Sequence, residues 1–410
     1  MKYIVIFLLC AFVYTQAQPN ISGMVRNYTA LRLQDDPEFA MLQNTFRLDF
    51  EKKSGKGAFV TNLYAYQYGT DVVPEIRIKQ LFADVYFNSL DFRLGRQQII
   101  WGKADGVFIT DVVSPKDLRE FLLPDFTEIR EGIDALNTSV YAGNHTFSLV
   151  LSPAFRPTTQ PEDGSIWKPE MDLPVNTVRI DTTRQDVPLK LSNSEAFFRW
   201  SAMLSAVDFE IVGAWMWDDE PALHLNKLGH PTSSGFVLDS LVISPEYHRL
   251  AMGGGAFSTT LKGLVLKGEA GYYYGKMFRT SDPNYSDGIV EGNYFHYMAG
   301  VSYTLAGIDL HGQFIQKIIL DHDDFFLDEQ YQNMITVLIH KSVLRETLHL
   351  DLFSYIGLND ADALIRPTVA YDISDGLKAT LGANIFLGDS GYFGQFDDND
   401  MVYVKLSYSF

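Results

Sequence analysis

Between Leu94 and Gly132 the chain concentrates the side chains best suited to recognition chemistry. Arg96, Lys103, Lys116, Arg119 and Arg130 are interspersed with Asp105, Asp117, Glu120 and Glu131. Arginine presents a planar fork that holds a carboxylate through two parallel hydrogen bonds, whereas lysine acts as a point charge. Opposite charges at this density do one of two things: they select a charged solute, or they pair with one another and pin a loop. Gly102, Gly106, Pro115 and Gly132 supply the sharp turns that an inward-folding loop needs. The segment 102–131 is therefore expected to narrow whatever interior it folds into, with these charged residues as its constriction.

Signals for covalent chemistry are thin. Gly388-Asp389-Ser390-Gly391 matches the run around a serine-protease nucleophile, but it sits between two strand-like segments and no second motif supports it. The 9 histidines include no His-x-x-x-His pair, the spacing that puts two metal ligands on one helix face. Glu346 and His349 stand three apart, which on a strand means opposite faces. Asp321-His322-Asp323-Asp324 lacks the glycine and the distal glutamate of a calcium-binding loop. His296, His311 and His349 share a strand parity and read as polar wall residues. A Ser, His and Asp set assembled across strands is the remaining route to hydrolysis. The expectation is no catalytic residue, no metal and no cofactor.

The elements that must position this segment are strands. In the last ten residues Val402, Val404, Leu406, Tyr408 and Phe410 share one face, and Tyr403, Lys405, Ser407 and Ser409 share the other, because strand side chains alternate. The same two-sidedness recurs. Val207, Phe209, Ile211, Trp215 and Trp217 oppose Asp208 and Glu210. Leu264, Leu266, Ala270, Tyr272 and Tyr274 oppose Lys267 and Glu269. Leu377, Ala379, Leu381, Ala383, Ile385 and Leu387 oppose Lys378, Thr380 and Asn384. Charged residues in a dry core are costly unless paired, so the polar faces are expected to line an aqueous interior. Tight turns such as 54–57, 142–145, 261–263, 305–307, 341–344 and 374–376 alternate with longer loops near 102–131, 156–192, 218–246 and 388–399. This rhythm separates about eighteen strands, an even number that leaves both chain ends on one side.

Lys2, the apolar run Ile4–Leu9 and the small residues before Gln18 read as a signal peptide cut after Ala17. Cys10, the only cysteine, leaves with it, so disulfides and thiol chemistry are excluded from the remaining 18–410. The chain carries 33 basic and 51 acidic residues, a formal net charge of -18, which argues against nucleic acid as a partner. No apolar run after the leader reaches the roughly 18 residues of a membrane helix. The acid surplus concentrates in loops, at Asp218-Asp219-Glu220, Asp323-Asp324 and Asp397-Asp398, and is expected to make one mouth negative.

Gly95-Arg96-Gln97, Trp101-Gly102 and Ser114-Pro115-Lys116-Asp117 together resemble a family of porin-like outer-membrane barrels, distantly similar to alginate-export channels. The terminal strand likewise resembles the closing strand of such barrels, whose final aromatic is part of the signal read by the barrel-assembly machinery. Tyr408 and Phe410 would serve that role here. The resemblance implies an all-β transmembrane antiparallel barrel in the cell outer membrane, with an inward loop. It implies contact with outer-membrane lipid and lipopolysaccharide, and passage of a small hydrophilic solute. A surface receptor or adhesion scaffold with a closed lumen is the alternative, and a barrel hydrolase ranks third. Arg96 shares parity with Leu90, Phe92 and Leu94, so it reaches the lumen only if a bulge at Gly95 flips the register.

Overall fold

In the computed structural model, residues 18–34, 36–169, 177–232 and 235–410 are described. The expected leader, 1–17, lies outside them. An 18-stranded sheet closes on itself, because the first strand, Asn20–Arg32, pairs antiparallel with both Phe39–Ser54 and the last strand, Met401–Ser409. Closure removes the free edges that an open sheet would expose. It also lets neighbouring strands pair their backbone groups all the way round, as a lipid environment demands.

The alternation decides which way each face points. Ile211, Trp215, Tyr272, Tyr274, Leu381, Val404 and Leu406 are exposed on the outer wall, while Glu210, Glu269 and Asn384 are buried inside. Several hairpins turn on two residues of positive φ, such as Lys262-Gly263 (50° and 87°) and Ala306-Gly307 (52° and 72°). This is the turn geometry whose twist matches that of paired strands. The expected link at 341–344 is corrected. Pairing continues to Val343↔Leu348, and the reversal uses Leu344, Arg345 and Glu346, all with positive φ. No glycine marks it, so residue type did not reveal it.

Two expectations about the interior and the loops also change. The region 218–246 is not irregular: Ala222–Thr232 and Gly235–Glu246 form a hairpin outside the barrel sheet, joined in parallel by Val178–Ile180. Nor are the inner faces uniformly polar. Val150, Phe197, Val212, Leu250 and Met252 on the inner wall pack with Trp101, Val112 and Val113 of the inward segment. Phe121, Leu122, Leu123 and Ile129 pack with Trp167, Phe386, Phe393 and Phe396. Much of the interior is thus an apolar core, supplied jointly by wall and loops and stabilised as any dry core is. Other wall charges pair along the sheet, as in Arg47–Asp49 at 2.9 Å, Arg93–Asp84 at 2.7 Å and Arg199–Glu210 at 3.6 Å.

At the chain terminus, Phe410 exchanges backbone hydrogen bonds with Gly23 (2.9 and 3.1 Å). Its ring stacks near Phe46 and Tyr408. A Cβ on Gly23 would lie 2.5 Å from that ring, so the glycine is the notch that seats it.

Candidate channel constriction

Segment 98–132 leaves the wall after the short strand Leu90–Gln97 and re-enters it at Ile133–Ala142. Between them it crosses the interior. Its first anchor is the carboxylate of Glu269 in the wall strand Leu264–Arg279. That group accepts from the backbone N–H of Lys103 (2.5 Å), Ala104 (2.8 Å) and Thr110 (2.7 Å), and from the Thr110 hydroxyl (2.8 Å). The N–H of Gly102 donates to Glu210 at 2.6 Å. A Cβ on Gly102 would fall 2.5 Å from Glu269 Oε1, and its φ is 87°, so glycine is required there. Buried carboxylates satisfied by several N–H donors make strong charge-assisted bonds. Further along, Asp105 N–H donates to Gln313 (3.0 Å), Lys267 pairs with Asp105 (2.9 Å) and the Tyr355 hydroxyl donates to Gly106 O (3.0 Å).

The other end is held by the opposite wall. Arg366 donates to Leu122 O (3.0 Å) and Leu123 O (2.7 Å), Arg26 pairs with Glu128 (3.0 Å), and Gln43 donates to Glu120 (3.1 Å). The loop is therefore a strap across the lumen, tied at both ends.

Beside it remains a cavity of about 580 Å³, whose lining includes Arg26, Tyr28, Tyr66, Tyr68, Arg77, Asp117, Arg119, Glu120 and Lys405. Arg77 bonds Glu75 and Asp117, each at 2.5 Å, and lies over the Tyr66 ring at 4.9 Å. Arg119 pairs with Asp117 (2.7 Å) and Glu75 (3.4 Å). Lys405 sits over Tyr28 (4.7 Å) and Tyr403 (5.2 Å), with no carboxylate in salt-bridge reach among the described residues. Burial pushes the Asp117 and Glu120 carboxyls above their ordinary range, opposed chiefly by Arg77 and Lys405 respectively. Cations, acids and tyrosine faces line this space together, a surface suited in its chemistry to polar, hydroxylated or charged molecules.

The sequence-selected residues divide. Asp117, Arg119 and Glu120 reach the cavity. Asp105 is tied to Lys267, and Lys116 to Asp219 at 3.6 Å and over Phe108 at 5.0 Å. Arg130 is tied to Asp111 at 2.5 Å, and Glu131 to Lys79 at 2.8 Å. Only the backbone of Lys103 has a partner among the described residues. Arg96 is a correction. Pairing runs unbroken through Leu81↔Arg96 and Arg96↔Asp134, so no bulge flips it. Gly95 takes a φ of 129°, where a Cβ would meet Leu81 O at 2.3 Å, yet the register holds. Arg96 pairs with Asp134 at 2.8 Å beside Leu94, Leu136 and Leu151 on the outer face, outside any passage. The acidic run 218–220 is largely turned inward: Lys276 binds Asp218 (2.7 Å) and Glu220 (3.7 Å), and Lys116 binds Asp219, so two lysines offset two of its three negative charges.

Sequence reasoning missed Arg26, Arg77, Tyr66, Tyr68 and Lys79. The alternating tyrosines of Tyr64-Ala65-Tyr66-Gln67-Tyr68 were the available signal, since their rings stack along one face at 5.6 and 6.2 Å. Across three strands a further polar chain assembles. Asp351 contacts His340 Nδ1 (2.6 Å), His340 Nε2 contacts Ser342 Oγ (3.1 Å), Ser342 contacts His349 (3.0 Å), and His349 contacts Asp372 (3.0 Å). This has the connectivity of a nucleophile with its base and orienting acid. Its backbone, however, lies within a continuous ladder, with Ser342 opposite His349, so no pair of free N–H groups is poised for an oxyanion. The Gly388–Gly391 run is a packed turn, in which a Cβ on Gly391 would lie 2.6 Å from Asp362.

No protein-family model matches the sequence, and no curated protein does. Solved structures do resemble the fold. OccAB1 of Acinetobacter baumannii is similar with a TM-score of 0.59 at 10% identity, over 97% of this chain and 97% of that one. OccK8 (OprE) of Pseudomonas aeruginosa is similar with a TM-score of 0.57 at 10% identity, over 96% and 98%. OccK2 (OpdF) of the same organism, solved in complex with glucuronate, gives 0.54 at 11% identity, over 96% and 98%. The chain thus has the fold of outer-membrane porins, a closed antiparallel barrel of 18 strands.

Proposed function

We propose that this protein is a porin-like channel of the cell outer membrane that passes small hydrophilic solutes without covalent chemistry. The observation that carries this reading is the strap 98–132, tied to opposite walls beside a cavity lined by Arg77, Arg119, Asp117, Glu120 and tyrosine faces. Glucuronate, with which OccK2 was solved in complex, is a solute of the kind such a lining suits. Residues 1–17 act as the export signal, Tyr408 and Phe410 as part of the signal to the assembly machinery, and the outer wall meets lipid and lipopolysaccharide.

Single-channel recording in planar bilayers tests it. Replacing Asp105–Glu128 by a short Gly/Ser linker raises conductance while the barrel remains folded. Reversing Arg119 to Glu shifts ion selectivity toward cations, because fixed charge acts strongly in a narrow passage. A folded wild type that conducts nothing overturns the channel and leaves the receptor reading. A deletion with unchanged conductance overturns the constriction. Fluorophosphonate labelling of Ser342 would overturn the non-enzymatic reading.

A further inference from the structure

Far from the strap in sequence, and above the wall strands, three side chains that are potential metal ligands converge. His224 belongs to the hairpin strand Ala222–Thr232, Glu246 ends its partner strand, and His248 precedes the wall strand Arg249–Leu261. One ligand atom from each lies within 4.8 Å of the others. The two Nε2 atoms face each other at 2.9 Å. Nδ1 of His224 lies 2.8 Å from Asp287 Oδ2, in the loop after the strand Leu264–Arg279.

Asp287 fixes the chemistry of His224. A carboxylate at Nδ1 holds the proton there and turns the Nε2 lone pair toward His248, the arrangement by which a carboxylate orients a metal-bound imidazole. The ring centroids stand 5.1 Å apart, so the two Nε2 atoms point almost head-on at each other. Tilting both rings opens the nitrogens to about 3.3 Å, the separation of two ligands each about 2.05 Å from one tetrahedral ion. With both rings neutral, the 2.9 Å contact holds one Nε2 proton between them. To ligate, His248 would release that proton to solvent and carry one on Nδ1 instead, so that both rings would bind an ion as neutral imidazoles. Two imidazoles and a carboxylate suit zinc, nickel or copper and not calcium or magnesium, which take oxygen ligands. The scaffold is already fixed: Leu225 N–H donates to Asp287 O and Asp218 N–H to His248 O, both at 2.8 Å. Arg184 approaches Glu246 at 3.6 Å from an exposed position, and this contact is weak enough to be displaced.

We propose that His224, Glu246 and His248 form a binding site for a divalent transition-metal ion of the zinc class, oriented by Asp287. The ion clamps the hairpin to the barrel rim and to the 280–288 loop. This inference does not depend on solute passage.

The test uses untagged, detergent-purified protein and Zn2+ alone, with bound metal measured by equilibrium dialysis and elemental analysis. Folding of every variant is checked by heat-modifiable gel mobility. The expected result is one equivalent bound per chain, with affinity weakened at least tenfold by His224→Ala and by His248→Ala. Asp287→Asn weakens it by about 10- to 100-fold. Excess Ca2+ does not displace the ion. Absence of stoichiometric Zn2+ binding, binding unchanged in folded His224→Ala and His248→Ala, or displacement by Ca2+ at equal concentration each overturns the proposal.

Discussion

At the scale of single residues, two acids show how burial and partners set behaviour. Glu269 has no role in lining the cavity, yet it receives four hydrogen bonds from the strap. Each charge-assisted bond contributes about 1.5–3 kcal/mol, and removing the acceptor strands buried donors. Glu269→Ala is therefore expected to release the loop while the barrel persists, read as a rise in amide exchange at 103–110 of at least tenfold. Asp219 is pushed up to about 6 by burial, against the pull of Lys116. Its charged form is the one disfavoured by burial, so it neutralises as pH falls through that value, and Lys116 then loses its counter-charge. Reversal potentials should shift toward anion preference below about pH 6, and Asp219→Asn should abolish the step.

At the scale of the element, the two faces of one strand make opposite demands. Leu381 is 59% exposed on the outer face of Leu377–Leu387. Its neighbour Thr380 faces inward, opposite Lys405. Leu381→Arg is expected to cost about 2–4 kcal/mol at mid-membrane depth, while Thr380→Glu, facing a cation, should be nearly neutral. Urea-dependent folding into lipid vesicles measures both, and equal losses would contradict the facing. The hairpin at Leu344–Glu346 carries a separate lesson. Its three non-glycine residues with positive φ are strained individually and persist because the flanking ladder fixes both strands.

At the scale of the whole molecule, closure is the organising event. The first and last strands meet through nine paired positions from Met24↔Ser409 to Arg32↔Met401, and Phe410 finishes the seam in the Gly23 notch. Deleting Phe410, or replacing it by Ala, should lower the heat-modifiable folded fraction recovered from outer membranes, and normal recovery would remove its role in assembly. The interior core formed by Trp101, Phe121, Trp167 and Phe393 makes the barrel more than a hollow wall, since inward loops contribute its packing.

Period-two alternation, turn spacing and the chain ends were enough to identify an all-β barrel of about eighteen strands, because each of those signals is local in the chain. The glycines and proline between Gly102 and Gly132 marked the inward strap for the same reason. Which charges line the cavity was not legible. Arg77 meets Asp117 and Arg119, and Lys405 stands over Tyr28, only because register and closure bring distant strands together. Arg96 shows the converse. Its parity was readable, but whether Gly95 bulged depended on the ladders to both neighbours, and these kept it on the outer face. His224, Glu246, His248 and Asp287 have no recognisable spacing, and neither do Asp351, His340, Ser342, His349 and Asp372. Side-chain meetings across a sheet are decided by the pairing register, a property of the assembled barrel that no single segment encodes.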